Sequence, residues 1–240
     1  WRIENPVQYN KYLAEKEKIR MDVQSTALPV DPELLTEPLR LASGKLPGAL
    51  DADTNENYLL HGTAPEYVLP IVSEGLNERL SGRPGFGFGC YLAEDAGKAN
   101  QYVLPDEKFN RHNELHQKVY GGTSTWHPGW GTCYMFLCRA SLGLVAHTLD
   151  GEKTLGGWPV WDVGTCDNKG KGKGAKRRAS QRELAYIPGF SKTRYHSEVV
   201  ELSDPADAQP HARQALRYRE FVIPHGDRIY PEYLLAFYRE

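Results

Sequence analysis

The chain has 240 residues, 25% of them charged and 40% hydrophobic, with a formal net charge of −2 and four cysteines. These values fit one or two ordinary globular domains. They exclude wholesale disorder, a collagen-like repeat, a disulfide scaffold and a global basic field for nucleic acid or an anionic membrane. No apolar run approaches the ~18 residues of a membrane-spanning helix. The few cysteines point to a reducing compartment, nuclear or cytoplasmic. The chain begins at Trp1 with no basic-then-apolar leader and is read as a piece of a longer protein.

Asn5-Pro6 places a cap and a first-turn proline ahead of a helix in which Tyr9, Leu13 and Ile19 follow helical spacing through Lys11 to Arg20. Asp31-Pro32 repeats the start signal, and 43–57 reads as a Gly/Pro/Asp/Asn-rich connector. Residues 1–50 are taken as a helical lead-in and 51–240 as the main domain. Tyr58-Leu59-Leu60 predicts a short buried strand running into His61-Gly62. Thr63 and Glu66 have the spacing of a capping box, followed by a helix with Tyr67, Val68, Ile71 and Val72 on its apolar face and Gly75 at its end. His61 is thereby expected at a strand-to-helix junction.

Ser81 to Gly89 holds four glycines and a proline. It lacks the Lys-Ser/Thr end of a triphosphate-binding loop and is read as the approach to a strand at Cys90 to Ala93. A short helix from Asp95 to about Val103 follows. Residues 104–131 are polar, and Cys133 to Leu142 is a strong strand. Residues 151–195 read as loops and short strands. Tyr218 to Ile223, a His225-Gly226-Asp227 turn and Ile229 to Tyr238 predict a terminal hairpin. Short strands, few long helices and many glycine turns indicate an α+β fold.

Three blocks carry a resemblance. They are Leu60-His61-Gly62-Thr63; Phe86-Gly87-Phe88-Gly89-Cys90-Tyr91-Leu92-Ala93-Glu94 with Lys98-Ala99-Asn100-Gln101-Tyr102; and Tyr218-Arg219-Glu220-Phe221-Val222-Ile223 with Ile229 to Leu234. Arg2 to Pro6, Leu137 to Gly143 and Tyr195-His196-Ser197 are smaller echoes in the same order. Together they resemble the catalytic domain of poly(ADP-ribose) polymerases, most closely tankyrase and its mono-ADP-ribosylating relatives. The resemblance implies a split mixed β-sheet core whose cleft binds NAD+, and ADP-ribose transfer with release of nicotinamide. It places the family's histidine–tyrosine–glutamate triad on His61, Tyr91 and Glu220, and its second nicotinamide-stacking tyrosine on Tyr102. NAD+ is the co-substrate; a protein is the expected acceptor.

The chemistry suits those residue types. Breaking the nicotinamide–ribose bond builds positive charge on the ribose and releases a neutral ring, so no strong acid is needed. A carboxylate can stabilise that charge and help deprotonate an acceptor hydroxyl. Glu220 fits this role, whereas Glu232 is read as structural. Gly62 lets the backbone approach the planar carboxamide, and His61 is expected on a ribose hydroxyl. Tyr91 and Tyr102 would sandwich the ring, each stack contributing roughly 0.5–1.5 kcal/mol beyond area burial. Ala99 is a departure: the family often has a serine there whose hydroxyl binds the carboxamide, and its loss removes about 1 kcal/mol. Residues 76–85 would form the loop over the donor site, with Arg79 and Arg83 as candidates for the pyrophosphate.

Other features carry less. Lys169, Lys171, Lys173, Lys176, Arg177, Arg178 and Arg182 form a basic stretch with no acidic residue up to Arg182. It reads as a solvated insertion, with nucleic-acid contact or nuclear import as the sharper alternatives. His112, His116, His127, Cys133 and Cys138 do not give a closed zinc set, so no metal is expected. The family's autoinhibitory helical domain finds no counterpart in residues 1–50, which implies activity without a DNA-break signal. An NAD- or ADP-ribose-binding pseudoenzyme and a diphtheria-type ADP-ribosylating toxin are the alternatives.

Overall fold

The computed structural model describes residues 1–31, 34–35, 39, 44–81, 85–107, 111–121, 131–162, 182–201 and 218–239. Arg83, His127 and the basic residues from Lys169 to Arg178 lie outside these. Helix α1 (Pro6–Thr26) starts where Asn5-Pro6 predicts: the Asn5 side chain accepts from the Gln8 N–H. It runs well beyond Arg20. Its polar face is anchored, with Gln8 donating to the Ile71 carbonyl at 3.2 Å and Tyr12 donating to Glu56 at 2.5 Å.

Strand β1 (Glu56–Thr63) is longer than expected and includes His61, which is therefore inside a strand and not at a junction. Thr63 pairs with Tyr134, so its backbone is committed to the sheet and the capping box does not form. Ala64 caps α2 (Pro65–Glu74) without a side-chain bond, and Pro65 supplies the preset first turn. Next come β2 (Cys90–Leu92), α3 (Ala96–Asn100, capped by Asp95) and α4 (Asn113–Tyr120). Helix α4 lies in the stretch read only as polar, and α3 ends earlier than Val103.

The remaining strands are β3 (Cys133–Ser141), β4 (Val145–Thr148), β5 (Ser197–Val200), β6 (Glu220–Ile223) and β7 (Ile229–Phe237). They form two sheets, in the orders β1-β3-β7 and β2-β6-β5-β4. All pairs are antiparallel except β4 with β5. The expected terminal hairpin is absent: β6 joins the second sheet and β7 the first. The turn between them crosses from one sheet to the other.

Leu59, Phe136, Cys138 and Ala140 of the first sheet share the main core with Cys90, Leu92, Val199, Phe221 and Ile223 of the second. The opposite face of the second sheet carries Tyr91, Val222 and Ala146 and is covered by Phe86, Val160, Trp161 and Leu184. Among the described residues the sheets meet through one bridge, with Leu60 and Ala93 exchanging both backbone hydrogen bonds at 2.7 and 2.9 Å.

Candidate active site

Among the described residues, strand β1 is an edge of its sheet, paired with β3 alone. Leu60 turns its N–H and C=O away from β3, towards Ala93. By the two-residue period of a strand, Gly62 presents its own N–H and C=O to the same open side. There they border a cavity of about 970 Å³ that runs between the two sheets. His61, Gly62, Arg79, Tyr91, Ala99, Tyr102 and Glu220, all named from the sequence, line this one cavity. Residues 76–81 and Gly85 contribute another part of its lining.

Gly62 is required for a reason the sequence did not disclose. A Cβ at this position would lie 1.9 Å from the Ala99 carbonyl oxygen. The strand edge and the third helix are packed too closely for any side chain. Ala99 itself is buried and lines the cavity.

His61 Nδ1 lies 2.9 Å from the Tyr91 carbonyl oxygen. A carbonyl can only accept, so Nδ1 carries the proton in the neutral ring and Nε2 is the acceptor. Burial pushes the imidazole below its ordinary pKa, against the opposing effect of that bond. The ring is thus neutral and its tautomer fixed.

Tyr91 is locked at its far end: its hydroxyl donates to the Gly87 carbonyl at 2.8 Å and accepts from the Phe86 N–H at 3.0 Å. Burial raises its pKa, so it remains a phenol. The Gly87 backbone has φ +117° and passes over Trp161, where a Cβ would stand 2.2 Å from the indole. These two contacts explain the glycine-rich approach to Tyr91.

Glu220 opens β6 and is almost wholly buried, with its Oε1 2.8 Å from Lys98 Nζ. Lys98 also reaches the Tyr102 hydroxyl at 3.1 Å. Burial works against the Lys98 charge, but its bonds to Glu220 and Tyr102 outweigh it and raise its pKa. Lys98 is a site residue that sequence reasoning passed over. Its signal was position, four residues before Tyr102 in a stretch that reads as one helix, a spacing that puts both side chains on one face. Tyr102 is 55% exposed and forms part of the mouth rather than a closed wall. Arg79 is also exposed, held by an Asn77-capped turn.

Glu232 is elsewhere. It accepts from Tyr58 at 2.7 Å and from Arg139 at 2.9 Å within a buried ionic cluster of the first sheet, as a structural carboxylate does. His116 is bonded to Asp106 at 2.7 Å, and among the described residues no three His, Cys, Asp or Glu side chains are grouped to hold a metal ion. Of the basic stretch, Arg182 lies over the Phe88 ring at 4.6 Å. No helix among the described residues is long and apolar enough to cross a membrane.

The arrangement presents a backbone donor–acceptor pair, an aromatic face, a neutral imidazole acceptor and a lysine-held carboxylate around one elongated cavity. A family model for the poly(ADP-ribose) polymerase catalytic domain matches residues 15–239. The chain belongs to that family, whose members use NAD+ in ADP-ribosyl transfer.

Proposed function

We propose that this poly(ADP-ribose) polymerase-family domain is a working transferase. It cleaves the nicotinamide–ribose bond of NAD+ and passes ADP-ribose to a protein side chain. Gly62 would hold the carboxamide by its N–H and C=O, with the ring against Tyr91 and Tyr102 closing from the mouth. His61 Nε2 is free to accept from a ribose hydroxyl. The pyrophosphate would run towards Arg79.

In the reaction the carbon–nitrogen bond breaks and its electron pair stays on nicotinamide, which leaves as a neutral ring. Positive charge then develops on the ribose, where the Glu220 carboxylate stabilises it. The acceptor oxygen forms the new bond to the anomeric carbon, and Glu220 can take its proton. Lys98 fixes the carboxylate before the substrate arrives, so little reorganisation is needed at the moment of reaction.

The observation that carries this reading is the union of the open Gly62 edge and the Lys98–Glu220 pair in one cavity. Incubation with NAD+ labelled in the adenylate, with nicotinamide release measured in parallel, tests it. Release together with label on protein is expected. A discrete band would indicate single transfer and a smear chain extension. NAD+ binding without release would make this a binding module.

A further inference from the structure

Glu198 on β5 is a carboxylate with no solvent exposure, and neither of its oxygens has a hydrogen-bond partner among the described residues. The strand register fixes where it sits. Glu198 lies opposite Val222 of β6, and Val222 lies opposite Tyr91 of β2 on its other side. Two residues before Val222 on the same strand is Glu220, opposite Val200. Side chains two apart on a strand share a face. Tyr91, Glu220 and Glu198 therefore occupy one face of the second sheet, with the two glutamates as diagonal neighbours across β5 and β6.

That face is otherwise apolar around Glu198. Ala146 flanks it in the parallel pair with β4, and Val160, Trp161 and Leu184 belong to the layer covering that face. The charged and titratable groups that face it are Glu220 on β6, Asp150 after β4 and the Tyr91 phenol on β2. Burial and the charges of Asp150 and Glu220 all disfavour its ionised form. Lys98, the cation of the site, is held by Glu220.

We propose that Glu198 is a buried, protonated acid behind the active site, outside its catalytic and binding machinery, whose neutrality leaves Glu220 alone carrying charge and paired with Lys98. With Lys98 fixing the charge on Glu220, the proton resides on Glu198. Losing it puts a second negative charge on the same sheet face as Glu220 and sets the two carboxylates in competition for Lys98. Turnover then falls at alkaline pH through Glu220, although Glu198 does not touch substrate.

This rests on the transferase reading, and the experiment separates the two. Nicotinamide release and thermal stability are followed from pH 6 to 10 for the wild type, Glu198→Gln and Glu198→Leu. The glutamine is a permanently neutral isostere, and the leucine removes the acid while keeping the volume. The wild type is expected to lose turnover on the alkaline side. Both variants should keep the neutral-pH kcat and NAD+ KM within about threefold and lose at least one pH unit of that alkaline fall. The wild type should also lose stability relative to both variants as pH rises, with or without NAD+. If turnover is absent but this stability difference is present, the transferase reading fails and the proton on Glu198 stands. An alkaline limb identical in wild type and variants, or a wild type with none, overturns the proposal. Should Glu198→Gln not fold, the same comparison with Glu198→Leu decides; if neither folds, Glu198 is a folding determinant and the proposal is rejected.

Discussion

Arg219 grips Glu94 at two points, Nε to Oε1 at 2.6 Å and Nη2 to Oε2 at 2.9 Å, and the next residue along the chain is Glu220. The pair ties the exit of β2 to the start of β6. Arg219 also donates to the Leu34 carbonyl at 2.5 Å and stands 3.5 Å from Glu201. A planar two-point grip is specific to guanidinium. Arg219→Lys keeps the charge and loses the fork, so Glu220 should be less well placed while the donor cavity is unchanged. A fall of about tenfold in kcat with NAD+ KM within twofold is expected from steady-state nicotinamide release. An equal change in both parameters would assign Arg219 to binding.

Glu220→Gln keeps shape and hydrogen-bonding capacity and removes the charge. Turnover should drop by roughly 10²–10³, the usual cost of one preorganised electrostatic group, with little change in NAD+ affinity by calorimetry. Chain extension, if present, should fail before first transfer. Glu232→Gln makes the contrast. It leaves Arg139 in the first sheet with only the Glu56 carboxylate, 3.4 Å away. The melting temperature should fall by roughly 5–10 °C, with turnover per folded molecule nearly intact. The opposite pattern would mean that the roles of the two carboxylates have been exchanged.

Gly62→Ala forces a methyl group against the Ala99 carbonyl, which is backbone and cannot rotate aside. The edge of β1 must move away from the third helix, carrying the N–H and C=O of residue 62 with it. Binding of a simple aromatic amide such as benzamide should weaken at least tenfold, since about 1.4 kcal/mol is tenfold. Equal affinity for wild type and variant by calorimetry would remove this backbone from the site.

His196 sets a pH dependence of stability that is independent of catalysis. Its Nδ1 accepts from the Leu144 N–H at 3.0 Å, and its Nε2 lies 3.3 Å from Asp22 of α1. Burial, reinforced by the nearby Arg228 charge, lowers its pKa from 6.5 to about 4 against the pull of Asp22. Between those values the unfolded chain binds a proton that the folded one refuses. Stability should therefore decline as pH falls from about 6.5 to about 4, by on the order of 3 kcal/mol for this group. Thermal melts across that window should show a weaker decline for His196→Asn, even if the variant starts lower.

What the sequence revealed and what it hid divide along the reach of the interactions. Asn5-Pro6 and the strands at Cys90 and Cys133 were legible because each rests on neighbours within a few positions, whereas His61, Tyr91 and Glu220 were named through the family resemblance of the blocks around them and line one cavity. The separation of β6 from β7 was not. Two apolar strands around a His-Gly-Asp turn look the same whether they pair with each other or with β2 and β3. The Thr63 cap failed for a similar reason, since its competitor was Tyr134, far along the chain. Glu198 was invisible because Ser197-Glu198-Val199-Val200 gives no sign of which face is buried. Only the order of the second sheet puts that glutamate beside Tyr91 and Glu220.

The Leu60–Ala93 bridge ties the two sheets together at one end of the cleft. His61, Gly62 and Tyr91 sit beside that tie, with the His61–Tyr91 contact as a second stitch. Further out, the lining at residues 76–81 is a loop with one short turn, Glu78–Leu80, and Leu80 is exposed. One end of the cleft is consequently a gauge of fixed width, suited to a flat ring that must be met by the same atoms in every turnover. The other end, lined by that loop, suits a longer and more variable part of the donor, away from the reacting bond.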